Sequence, residues 1–191
     1  SNKIKWISDI SKLGNEPIII IANEFFDSLP IKQYILKKKQ WFERHVEIDN
    51  SNKIKFNDLK IDLPNFEKIC KLDISKNQNF IEFPLETIKF LKKISKVLKK
   101  NNGGLLCIDY GYTKQKMFNS LQSIKKHNYT NVLSDPGQQD ITHLINFSLI
   151  NKISLKLGLQ TESIVTQGKF LKNLGIIERA NILSSKKSTI I

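Results

Sequence analysis

Two short runs of continuous apolar residues, each ending in polar or acidic residues, constrain this chain more than any other feature. The first is Ile18-Ile19-Ile20-Ile21-Ala22, followed by Asn23 and Glu24. The second is Leu105-Leu106-Cys107-Ile108, entered through Gly103-Gly104 and followed by Asp109. Apolar runs that do not alternate with polar residues read as strands buried on both faces, as in parallel sheets. Between them, Pro84 to Lys100 reads as a helix. Pro84 suits a first helical position, Ile88, Leu91, Ile94 and Leu98 share one face, and Asn101-Asn102-Gly103 stops it. A helix leading into a parallel strand is the right-handed crossover of an open α/β sheet.

The segment from about 33 to 66 has a different pattern. Gln33 to Leu36, Trp41 to Ile48 and Lys53 to Phe56 alternate more and are joined by turns such as Asp49-Asn50-Ser51-Asn52, which predicts an antiparallel hairpin inserted into the α/β frame. A second helix is expected from Asp140 or Thr142 to Gly158, and a short one from Gln167 to Leu174 before Gly175. With 191 residues, the chain has the size of one domain. No apolar run approaches the roughly 18 residues of a membrane helix. Cys70 and Cys107 are the only cysteines, too few for a disulfide framework or a four-cysteine zinc site, and they read as reduced thiols. The net charge of +13 would ordinarily point to nucleic acid. Here only Arg44 and Arg179 are arginine, and the excess of Lys, Ile and Asn is what A- and T-rich codons produce. A polyanion groove favours arginine forks with interleaved aromatics, so the charge is assigned to composition rather than to a nucleic-acid partner.

Ligands of open parallel sheets bind beyond the carboxyl ends of the strands, which gathers Asn23, Glu24, Asp27, Asp109 and Tyr110 around one cleft. Two carboxylates three residues apart can clamp a cation, orient a guanidinium or bind a metal. Equally, Asp27 or Ser28 could cap a helix with Glu24 in solvent and both phenylalanines in the core. His127 and His143 lack a partner at ligand spacing, so no metal site is expected; His143 reads as a packed helical histidine.

Asn23 to Pro30, followed by Ile31 and Gln33, resembles the N-E-F-F-D-A-L-P-V-x-Q signature of the MidA family. Glu43-Arg44-His45-Val46 resembles that family's E-R-x-V hairpin, and Gly103 to Tyr112 its G-G-x-x-L-x-I-D-Y-G-Y strand. Leu121-Gln122, His127, Asp135-Pro136-Gly137, Asp140 to His143 and Phe147 follow in the family's order, as do Gln167-Gly168, Phe170-Leu171, Leu174 to Ile176 and Arg179. The likeness runs from about Trp6 to Leu183, with Ser120 in place of a threonine and Asn146 in place of an aspartate.

The resemblance implies an S-adenosylmethionine-dependent methyltransferase of the type that includes the mitochondrial complex I assembly-factor arginine methyltransferase. The expected fold is the C-terminal part of a Rossmann-like class I methyltransferase sheet, one partial domain over 1–191 carrying the inserted antiparallel hairpin. None of the eight glycines forms a G-x-G group, and the chain lacks the family's C-terminal M-G-x-x-F-K stretch. It is therefore expected to be a fragment without the amino-terminal cofactor loop, inactive alone and poorly soluble where an unpaired sheet edge is exposed. Glu24 and Asp27 are expected to be catalytic, pairing with a substrate guanidinium, and Asn23 to bind cofactor. Asp109, Tyr110, His127, Asp135 and Asp140 are expected to face substrate. Asp109 equally reads as a satisfied strand-end carboxylate, Asp140 as a helix cap and Arg179 as a structural ion pair. The implied partner is a protein substrate, such as a subunit of respiratory complex I, in the bacterial cytoplasm or mitochondrial matrix, without membrane insertion. The alternative is a non-catalytic protein-binding or assembly module of the same fold.

Overall fold

A computed structural model of the chain describes residues 4–187. It forms two compact units that divide after Thr161.

In the larger unit, a single 3-10 turn at Ile10–Lys12 precedes β1 (Ile19–Asn23). An antiparallel meander follows: β2 (Lys32–Lys37), β3 (Gln40–Ile48) and β4 (Ile54–Lys60). Lys37 pairs with Gln40 across Lys38 and Lys39, both at positive φ (46° and 65°), the conformation of a two-residue type I′ turn. The next turn is built by Asp49, whose carboxylate accepts from the Ser51 and Lys53 amides. The chain continues through α1 (Phe66–Cys70), β5 (Phe80–Phe83) and α2 (Leu85–Asn101). β5 pairs with the free side of β2, so the sheet has four strands in the order β4-β3-β2-β5 and reaches beyond the segment expected to form a hairpin.

α2 buries Ile88, Leu91, Ile94 and Leu98 as its spacing predicts, with Pro84 at the cap position. It ends at Asn102 in the left-handed region, and the chain enters β6 (Gly104–Ile108). β6 pairs with β1 in parallel, Ile19 opposite Gly104 through to Asn23 opposite Ile108. Gly103 is required at this approach, because a Cβ there would run into the Ile18 carbonyl. The expectation that both strands are buried on two faces holds for one face of β1 only: Ile19 and Ile21 are 78% and 65% exposed, while Ala22 is buried. The core lies between α2, β2, β5 and α1, where the Phe66 ring packs against Tyr34 and Phe83.

The remaining strands are short. β7 (Gly111–Tyr112) is followed by β8 (Gln122–Lys125), β9 (Asn128–Thr130), β10 (Asp140–Thr142) and β11 (Ile145–Asn146), and α3 spans Phe147–Lys156. β8, between β10 and β9, makes a three-stranded antiparallel sheet, and β7 pairs with β11 in parallel. The helix expected from Asp140 or Thr142 therefore begins only at Phe147. Its cap is Asn146, whose Oδ1 accepts from the Leu149 amide at 3.0 Å; aspartate and asparagine serve alike there, which accounts for the departure from the family pattern. The preceding amides are engaged elsewhere: His143 N donates to the Asp27 carbonyl and Leu144 N to Ser120 Oγ. Asp140 is thus a strand residue and not a cap, and His143 lies between strands and not on a helix.

The smaller unit contains α4 (Gln167–Asn173) and α5 (Ile176–Lys187). Thr166 caps α4 through the Lys169 amide, and Gly175, at φ 80°, turns the chain between the helices.

Candidate active site

The parallel pairing of β1 and β6 brings Asn23, Glu24 and Asp109 to adjacent strand ends. Glu24 N donates to the Ile108 carbonyl at 2.9 Å, extending the ladder by one step. Glu24 itself sits at φ 46°, a left-handed conformation unusual for a residue with a Cβ, and its side chain projects into solvent. The chain then turns sharply. Phe26 is fully buried, with the Phe25 ring edge-on between it and Phe90 at 5.1 and 5.2 Å.

Asp109 fixes this turn. Its Oδ2 accepts from the amides of Phe26 (3.0 Å) and Asp27 (3.3 Å), and its Oδ1 from the Tyr110 amide (2.9 Å). A carboxylate holding three backbone amides has the geometry of a strand-end anchor. The Tyr110 hydroxyl donates to Glu24 Oε1 at 3.2 Å, and that carboxylate holds the phenol above its usual range. Glu24, Asp27, Asp109 and Tyr110 thus form one cluster.

Asp27 is 5% exposed and caps no helix. Burial pushes its carboxyl above the ordinary range and Asp109 pushes the same way; His143 opposes, Glu24 adds to the rise, and the Ser28 amide opposes it weakly. No lysine or arginine pairs with Asp27 among the described residues. It forms part of the wall of a cleft of about 330 Å³, together with Gln33, Arg44, Phe56, Thr142 and His143. Across this cleft Arg44 donates through Nε to Asp58 at 3.2 Å and lies over the Phe56 ring at 4.8 Å.

Behind the cleft, Glu82 is buried and fully occupied. Its Oε1 accepts from Gln33 Nε2 (2.8 Å) and the Ser120 amide (2.9 Å), and its Oε2 from Ser120 Oγ (2.5 Å). Ser120 Oγ in turn accepts from Leu144 N, the neighbour of His143.

His127, Asp135 and Asp140 belong to the three-stranded sheet and its loops. His127 occupies the turn between β8 and β9 at φ 64°, Asp135 pairs with Lys125 at 2.6 Å, and Asp140 lies opposite Ile124. They are exposed, and β10 leads from Asp140 to Thr142 and His143 on the cleft wall. Three contributors escaped the sequence: His143, Gln33 and Glu82. A lone carboxylate inside Phe80-Ile81-Glu82-Phe83 was a usable signal for the last, since a buried charge demands partners. Among the described residues no three of His, Cys, Asp and Glu stand together as a metal set, and no helix is long and apolar enough to cross a membrane.

A relative named Protein arginine methyltransferase NDUFAF7, mitochondrial, from Danio rerio is 28% identical over 190 residues, covering 98% of this chain and 44% of the relative. The protein of the same name from Homo sapiens is 27% identical, covering 97% of this chain and 41% of its own length. The chain therefore spans less than half the length of these curated relatives. A Burkholderia thailandensis protein solved with S-adenosyl-homocysteine shares the fold at a TM-score of 0.75 and 21% identity, over 98% of this chain and 49% of that one. The family model described as "Putative S-adenosyl-L-methionine-dependent methyltransferase" matches residues 1–165. The strand-end motifs, the α/β architecture and this match make the chain a member of that S-adenosyl-L-methionine-dependent methyltransferase family.

Proposed function

We propose that the protein methylates an arginine side chain of a protein substrate, with β1 and β6 serving as the fourth and fifth strands of one class I methyltransferase domain. The observation that carries this reading is the cluster at the strand ends: an exposed Glu24 beside a buried Asp27 that has no lysine or arginine paired to it among the described residues. Such a pair accepts a guanidinium, which presents its N–H donors in a planar fork. The names of the relatives support arginine as the target.

The donor set suits S-adenosylmethionine in one respect: exposed Asn23 offers a side-chain carbonyl to the ammonium of its methionine portion. When bound, the cofactor supplies a methyl group activated by a sulfonium. The residues of this chain do the rest. Glu24 and Asp27 take N–H donors of the guanidinium, hold its plane and localise its charge away from the nitrogen to be methylated. Asp109 keeps the Phe26–Asp27 turn in place, a positioning role, while Tyr110 orients Glu24. His127, Asp135 and Asp140 line the rim along which the substrate polypeptide approaches. A subunit of respiratory complex I is the proposed substrate. The compartment is the mitochondrial matrix, in keeping with the relatives' names, or the bacterial cytoplasm.

Transfer of tritiated methyl from S-adenosylmethionine to protein arginine, using the whole protein, tests this. Glu24→Gln is expected to lower transfer roughly 10²-fold or more while cofactor binding persists. Wild-type turnover by that variant would overturn the assignment.

A further inference from the structure

His143 has a feature that packing leaves unexplained. It is 4% exposed, and its Nε2 is buried without a hydrogen-bond partner. The other ring nitrogen, Nδ1, faces the Leu144 carbonyl at 3.4 Å. A carbonyl can only accept, so this contact favours the tautomer with its proton on Nδ1 and leaves a bare lone pair on Nε2. Buried acceptors are almost always satisfied; His143 lines the cleft, and a small movement of its ring opens the enclosed Nε2 to a ligand there.

The same wall carries Asp27, buried and without a lysine or arginine partner among the described residues, and the two residues are tied together by the hydrogen bond from His143 N to the Asp27 carbonyl at 3.1 Å. One anionic and one neutral acceptor therefore line a cleft whose remaining walls include Pro30, Ile31 and Phe56, suited to an aliphatic stem, and Arg44, whose charge is taken up by Asp58. An ammonium, as a compact point charge, is served by the carboxylate alone. A guanidinium, with five N–H donors spread over a plane, uses both.

We propose that His143 is a substrate-binding residue whose Nε2 accepts an N–H from the guanidinium held by Asp27, so that the cleft selects arginine over lysine side chains. The choice of ligand rests on the arginine-methylation reading above; the site itself rests on the orphan acceptor, the buried carboxylate and the cleft.

The test is a titration of the whole protein, labelled with ¹⁵N at histidine, with N-acetyl-arginine methylamide and, separately, its lysine counterpart. The His143 Nε2 resonance is expected at the position of an unprotonated ring nitrogen and to move upfield with the arginine probe only. His143→Phe should weaken the arginine probe roughly tenfold or more, as expected for a lost hydrogen bond to a charged group. His143→Gln, which places an amide oxygen near the site of Nε2, should retain most of the affinity. Thermal unfolding of both variants separates lost binding from lost folding. If the arginine probe binds without moving His143, or both probes move it alike, the proposal is overturned while arginine methylation stands on label transfer. Absence of binding by either probe also overturns it. A shift of His143 by the arginine probe in a protein that transfers no methyl group would sustain the guanidinium site and sink the methyltransfer reading.

Discussion

Asp27 concentrates the cost of the site in one side chain. Its carboxyl titrates above the ordinary range because burial and two neighbouring carboxylates disfavour its charged form. A raised native pKa means that the folded state holds the proton more tightly than the unfolded chain. Stability from this group is present below the unfolded value of 3.8 and is lost as pH climbs through the native value. Asp27→Asn removes the charge and keeps the shape, so it is expected to raise the melting temperature at pH 7. The difference should shrink towards pH 3, where the native carboxyl is protonated, and methyl transfer should fall roughly 10²-fold. Calorimetry across that range, with label transfer alongside, checks both. A melting temperature at pH 7 equal to or below the parent's would show that Asp27 is compensated in a way its surroundings do not reveal.

At the scale of elements, two features hold the cleft together. Gly103 lets β6 start beneath the Ile18 carbonyl, so Gly103→Ala forces the β1–β6 pair apart at its entrance. A loss of about 2 kcal/mol is expected from such overpacking, measurable by urea unfolding. Glu82 fastens β5 and β2 to the Ser120 segment, and through Ser120 Oγ to Leu144. Glu82→Ala strands three buried donors and should cost roughly 2–3 kcal/mol; Glu82→Gln, which keeps an acceptor, should cost less. These elements also show what could be read in advance. Strands β1 and β6, helix α2 and the meander are written in local periodicity, and the cluster at Glu24, Asp27, Asp109 and Tyr110 follows from where parallel strands end. The stretch from Asp140 to Asn146 could not be read that way. Its conformation is set by Ser120 and Asp27, and such distant partners leave no trace in a helical or alternating pattern. That is why the sequence pattern predicts a helix at His143 and gives no sign of its orphan nitrogen.

At the scale of the molecule, the exposed face of β1 dominates solution behaviour. Ile19 and Ile21 stand in solvent on a strand whose second edge has no partner among the described residues. Apolar surface beside an open strand edge promotes association. The 191-residue chain produced alone is expected to bind a hydrophobic dye and sediment as oligomers, and Ile19→Lys with Ile21→Lys should reduce both. An unchanged sedimentation profile in the double variant would move the sticky surface elsewhere. The pairing of β1 with β6 also governs when the site comes into being. Phe26 and the Asp109 carboxylate that holds its amide are 83 residues apart. At a synthesis rate of ~5–20 residues per second, the acid-bearing turn leaves the ribosome several seconds before its anchor exists. Through that interval the isoleucine run has not yet met β6, and the cleft is assembled only when the second strand arrives.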